Sequence, residues 1–111
     1  MVYQFRPRKT FNQDLMYLGR VDPSIIDDIR AAIEILLSGD KLPAEYNDHQ
    51  LSRKYAGYRE FHLRDTPAGT KASETNDVVV IYKVNDQDLI LVAVRAGSHD
   101  RLFSGAYRKS K

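Results

Sequence analysis

LPAEYNDHQLSRKYAGYREFH, from Leu42 to His62, carries the chain out of an extended polar loop and into a strand. From Gly57 the side chains alternate. Phe61 and Leu63 point one way, while Tyr58, Glu60, His62 and Arg64 point the other. A strand patterned in this way has one face against a core and one polar, ionisable face, as in an antiparallel sheet covered on one side. The stretch also holds His49 and His62, two of the three histidines in the chain.

Past Arg64, Asp65–Asn76 (DTPAGTKASETN) is rich in turn formers and reads as a long, exposed hairpin loop. Asp77–Lys83 (DVVVIYK) follows as a strand apolar on both faces, hence central. Asn85–Asp88 turns the chain into Leu89–Ala96, another doubly apolar strand. Gly97-Ser98 breaks it, and His99–Phe103 reads as a short turn or helical segment. Residues 104–111 form a polar, basic tail predicted to fray.

Before the opening stretch, Val2–Phe5 predicts a short strand with Tyr3 and Phe5 on one face, ended by Arg6-Pro7-Arg8. Thr10 and Gln13 have capping-box spacing, Phe11, Leu15 and Leu18 share a helical face, and Gly19 is the predicted stop. A stronger helix begins with Asp22 as N-cap and Pro23 at its first position. Ile25, Ile26, Ile29, Ala32, Ile33, Leu36 and Leu37 form its apolar stripe, and Gly39 is placed to close it. The pattern predicts one α+β domain over residues 1–111. Two N-terminal helices pack on one face of a mostly antiparallel four-stranded sheet, and the face carrying Glu60 and His62 stays open.

Composition narrows the function classes. With 42% hydrophobic residues, 111 residues suffice for a core without staples. The absence of cysteine excludes disulfides, thiolate nucleophiles and cysteine-based zinc sites. The apolar run Leu89–Val94 is too short to span a bilayer, and MVYQFRPRK lacks a secretory h-region, so a cytoplasmic protein without membrane association is expected. Net charge is only +2, but nine Lys/Arg against two acids fall in residues 51–64 and 95–111. Basic charge thus collects on the segments that carry histidine, as a polyanion site requires.

His49, His62 and His99 show no metal-ligand spacing, so neither metal nor cofactor is expected. Together with nearby carboxylates they suit another chemistry. Cutting RNA without a metal requires a base for the ribose 2′-OH, an acid for the leaving 5′-oxygen and stabilisation of the phosphate. Imidazoles titrating near neutrality supply the first two. An arginine clamps phosphate, and an exposed aromatic stacks an unpaired base.

The motifs LPAEYNDHQL, GYREFHL, DVVVIYK and RAGSHDRLF, in that order, resemble the YafQ branch of the RelE superfamily, the type II toxin mRNA interferases. The resemblance covers about Leu42 to Phe103 and implies a RelE-like fold and a ribosome-dependent endoribonuclease acting on mRNA in the A site. It also implies a cognate antitoxin, DinJ-like and of ribbon-helix-helix type, with operator DNA bound only through the antitoxin complex. By motif position it implies His49, His62, Asp77 and His99 as catalytic residues. Our role assignment for them makes His49 the base toward the 2′-OH and His99 the acid, with His62 and Asp77 positioning or polarising the phosphate. Phe103 would sit near the substrate base, Arg95 is a candidate phosphate contact, and Arg59 and Glu60, the latter where an acid is usual, are further candidate substrate contacts. The segment after His62 is longer than in a compact YafQ-like hairpin, so Asp65 competes with Asp77 as the site carboxylate. The rival reading within the superfold is a ParE-like, non-catalytic inhibitor of gyrase; outside it, an RNA-binding module without cleavage.

Overall fold

The computed structural model describes residues 2–108. One mixed sheet has the order β1-β5-β4-β3-β2, from strands β1 (Gln4–Pro7), β2 (His49–Gln50), β3 (Arg59–Arg64), β4 (Val78–Asn85) and β5 (Ile90–Gly97). β1 runs parallel to β5 and the other pairs are antiparallel. The sheet therefore has five strands where four are predicted. The addition is β2, in which His49 pairs with Glu60 and Gln50 with Arg59. Two residues are too few to carry a periodicity.

Helices α1 (Lys9–Val21) and α2 (Pro23–Leu37) cover one face. Their Phe11, Leu18, Ile25, Ile29 and Ile33 close on Phe61, Val78, Val80 and Leu91 of the sheet. α2 forms as its sequence dictates. Asp22 accepts the Ser24 amide at 3.1 Å, Pro23 stands at the first helical position, and Gly39 (φ +84°) follows the last turn. The amides of Gly39 and Asp40 donate to Leu36 and Ile35 carbonyls, which is the Schellman closure.

α1 departs from its predicted ends. No side chain caps it, and the Thr10 hydroxyl donates instead to the Val94 carbonyl at 2.8 Å. β1 pairs with β5 only as far as Pro7 and Ala93, which leaves the polar edge of β5 unpaired beyond that point. Thr10 and Asp14 take over that edge, Asp14 accepting the Ala96 amide at 3.0 Å. An unmet buried backbone group costs about 1–3 kcal/mol, more than the ~1 kcal/mol of a helix cap, so the edge wins. Gly19 does not stop the helix, which runs to Val21. Pro23 ends it, by excluding helical geometry at the residue before it. β1 likewise includes Pro7, tolerated as the last residue of an edge strand.

The second face is only partly open. α3 (His99–Arg108) lays Leu102 and Phe103 on Val79, Ile81 and Val94, with Leu51, Tyr55, Tyr58 and Val92 packed around them. A helix thus extends into residues read as a frayed tail; positions 109–111 of that tail lie outside the described residues. A bulge in β3 makes a further correction. His62 pairs with Val79 and Arg64 with Val78, so the extra residue between them reverses the alternation. Arg64 consequently reaches the helix side, where it binds Asp22 and Asp28 at 3.0 Å each. The 65–76 loop does form a hairpin connection. It is tied down, because the Tyr17 hydroxyl donates to Glu74 and Arg64 donates to the Thr75 carbonyl. Among the described residues no helix is long and apolar enough to cross a membrane.

Candidate active site

Register brings the three histidines together. His49 on β2 lies directly across from Glu60 on β3, and His62 follows two residues later on the same face. β4 begins just after Asp77 and β5 ends just before His99, with Val79 opposite Gly97. The ring centroids of His49 and His62 are 5.7 Å apart, and those of His62 and His99 5.1 Å.

A single carboxylate oxygen occupies the middle. Glu60 is 3% exposed, and its Oε1 lies 3.0 Å from His62 Nε2, 3.1 Å from His99 Nε2 and 3.9 Å from His49 Nε2. A buried carboxylate demands such partners, since an unpaired one would lose its hydration uncompensated. The outer nitrogens are fixed as well. His62 Nδ1 is 2.6 Å from Asp65 Oδ1, and His99 Nδ1 is 2.8 Å from Asp77 Oδ1. Asp77, itself buried, also accepts the His99 amide at 2.9 Å. Ser98 caps the same turn by accepting the Arg101 amide. Hydrogen bonding to Glu60 raises the His99 pKa to about 9; burial opposes the rise and Asp77 adds to it. His99 is therefore an imidazolium at neutral pH.

His49 is arranged differently. Its Nδ1 donates to the Asn47 carbonyl at 2.7 Å, which leaves Nε2 as the nitrogen turned toward the site. Asn47 makes the required sharp turn in a left-handed conformation. Asp48 points to the other side of the sheet and accepts from Arg59 at 3.1 Å and from the Tyr82 hydroxyl at 2.6 Å, pinning the short strand.

His49, Glu60, His62, Asp77 and His99 thus converge. Asp65 and Asp77 do not compete, because each serves its own histidine; the pairing of His62 with Asp77 is replaced by His62 with Asp65. Three other candidates are placed differently from their expected roles. Arg59 lies on the helix side of the sheet, ion-paired with Asp48. Its neighbour Glu60 faces the histidines, so strand alternation sends Arg59 away. Arg95 is held by Asp14 through Nε at 2.7 Å and Nη2 at 3.1 Å, an ion pair in place of a phosphate contact. Phe103 is 4% exposed, not an open stacking ring. It stacks under His99 at 5.9 Å and meets Tyr55 edge-on. Asn47, Asp48 and Asp14 carry structural roles that sequence reasoning missed. The first two adjoin His49 in its motif, whereas Asp14 meets β5 across 82 residues and gives no local signal.

The arrangement can move protons, with one imidazole charged and another presenting a ring nitrogen within the same cluster. It can also hold a metal ion: His49, Glu60 and His62 each offer a ligand atom, all within 4.8 Å of one another. Two imidazoles and a carboxylate suit a divalent transition metal such as zinc.

Residues 3–104 match the family described as the bacterial toxin of the type II toxin-antitoxin system, YafQ. A Haemophilus influenzae protein bearing the toxin name YafQ is 32% identical over 82 residues, covering 72% of this chain and 70% of that one. The crystal structure of a metal-bound toxin from Helicobacter pylori superposes with a TM-score of 0.73 at 27% identity, over 93% of this chain and all of the other. In the crystal structure of the E. coli DinJ-YafQ complex the matching chain gives 0.70 at 25% identity, over 91% of this chain and 98% of that one. A match over nearly the whole length, on a fold and motifs that agree, places the chain in the YafQ family of type II toxin-antitoxin toxins.

Proposed function

We propose that the protein is a ribosome-dependent endoribonuclease that cleaves mRNA by acid–base catalysis and thereby stops translation. The observation that carries the reading is the position of Glu60 Oε1 among three imidazoles, 3.0 to 3.9 Å from each. His49 Nε2 takes the proton of the ribose 2′-OH. The resulting oxyanion attacks the adjacent phosphorus, and the bond to the 5′-oxygen breaks. His99, charged at neutral pH, gives that oxygen a proton. The products are a 2′,3′-cyclic phosphate and a 5′-hydroxyl. His62, set between Glu60 and Asp65, stands beside both groups and supports the phosphate.

The partners are the ribosome with mRNA in its A site and a cognate antitoxin. Support for the antitoxin is the related E. coli complex of DinJ with YafQ. The antitoxin would be of ribbon-helix-helix type and would carry the pair to operator DNA. The site of action is the cytoplasm. Programmed ribosomes incubated with the protein, followed by mapping of mRNA ends, test the reading. New 5′-hydroxyl ends within the A-site codon are the expected result. Intact mRNA with inhibited gyrase would overturn it in favour of a ParE-like toxin.

A further inference from the structure

Two residues of the quoted motifs take no part in the histidine cluster: Tyr58 of GYREFHL and Lys83 of DVVVIYK. Arg59 pairs with Tyr82 across β3 and β4 on the helix side. The residues next to that pair, Tyr58 and Lys83, therefore face the histidine side, one alternation beyond Glu60 and Ile81. The step is two residues, roughly 7 Å along the sheet. Lys83 Nζ lies 5.5 Å from the centroid of the Tyr58 ring. Arg8 joins them from the start of α1, its Cζ 5.6 Å from the same centroid and its Nη2 donating to the Tyr58 hydroxyl at 3.2 Å.

Charge separates these two cations from four arginines near the site. Arg59, Arg64, Arg95 and Arg101 each have a carboxylate partner. Arg8 and Lys83 are exposed, and among the described residues neither forms an ion pair. No acid stands in the first turn of α1 to offset Arg8. Two exposed cations drawn to one ring repel each other, and contact with the ring's face returns only about 0.5–1 kcal/mol each. An anion between them would remove the repulsion. The ring is also continuous with the site. Tyr58 meets Tyr55 edge-on at 6.2 Å, Tyr55 meets Phe103 at 5.5 Å, and Phe103 stacks on His99. With Arg59 and Arg95 committed elsewhere, this row offers exposed positive charge beside a half-buried aromatic ring on the histidine face.

We propose that Arg8, Tyr58 and Lys83 form a second RNA subsite beside the cleavage centre, the tyrosine stacking an unpaired base and the two cations holding its flanking phosphates. This rests on the reading of the histidine face as the RNA face. It assigns phosphate binding to residues other than the arginines that the motifs single out.

Binding is measured by fluorescence anisotropy with a short, labelled single-stranded RNA whose 2′-hydroxyls are all methylated, so that it cannot be cut. The Arg8→Gln/Lys83→Gln double variant should bind at least ten-fold more weakly at low salt. Its log–log salt slope should fall by about 1.4, the counterions of two phosphates. Tyr58→Leu should lose about ten-fold at every salt concentration, while Tyr58→Phe keeps most of the affinity. The subsite is overturned if the charge variants bind with the wild-type affinity and slope, or if the wild-type protein does not bind the probe. The ribosome assay is scored separately. Loss of RNA affinity with no cleavage by the wild type would leave the subsite standing and remove the nuclease reading. Normal cleavage with unmoved affinity would do the reverse.

Discussion

Asp77 grips His99 at two points, one carboxylate oxygen 2.9 Å from its backbone amide and the other 2.8 Å from its Nδ1. Because the amide belongs to the first turn of α3, the same aspartate seats a helix and orients an imidazole. The carboxylate also lies where the positive end of the helix dipole favours it. Asp77→Asn should therefore lower the His99 pKa from about 9 toward its ordinary 6.5. NMR titration of the His99 ring reads this directly. An unmoved titration would show that Glu60 alone sets the charge.

The same shift makes stability depend on pH. The folded pKa of His99 lies above its unfolded value, so the folded protein binds the extra proton. The contribution is complete below about pH 6.5 and disappears as pH rises through about 9. Urea midpoints should fall between pH 7 and pH 10, and the fall should be smaller in His99→Ala. An equal slope in the two proteins would assign the effect to other groups.

Removing either proton-transfer group should cost the reaction, not the fold. His49→Ala and His99→Ala should each slow mRNA cleavage roughly 10²–10⁴-fold. The double variant should lose less than the product of the two, since the groups act in one step. Single-turnover cleavage on programmed ribosomes measures the rates. Circular dichroism melts check that the loss is not one of structure. Variants that arrest growth as the wild type does would remove both roles.

Asp14 should matter for stability alone. It accepts from Arg95 and from the Ala96 amide, and it is buried where α1, to which it belongs, meets the edge of β5. Asp14→Ala leaves a partly buried guanidinium and an edge amide without partners, a loss of about 2–4 kcal/mol. Chemical denaturation should show that loss, while the cleavage rate of the folded fraction stays near wild type. A large fall in rate at unchanged stability would instead tie Asp14 to the reaction.

Metal should inhibit. Zinc held by His49, Glu60 and His62 would occupy Nε2 of the proposed base. Chelation with EDTA should leave cleavage intact, and micromolar zinc should suppress it reversibly, with His49→Gln weakening zinc binding. Activity that vanishes on chelation and returns with zinc would require a metal-dependent mechanism.

What could be read along the chain were features whose cause lies within a few residues. The caps and stripe of α2 are local, because Asp22, Pro23 and Gly39 act through their own backbone geometry and Ile25 to Leu37 repeat at helical spacing. The inward and outward sides of β3 are local too, up to the bulge, so Glu60 and His62 could be placed on one face together. Pairings across the chain were decided only by the tertiary structure. Thr10 leaves its expected capping role, and Asp14 takes a buried one, because the edge of β5, eighty residues away, would otherwise have unmet polar groups. Arg59 and Arg95 are spent on Asp48 and Asp14, and α3 closes over a face whose pattern read as open. Sequence thus supplied the imidazoles and carboxylates. Which oxygen meets which nitrogen depended on the register of strands that pair only when the whole sheet has formed.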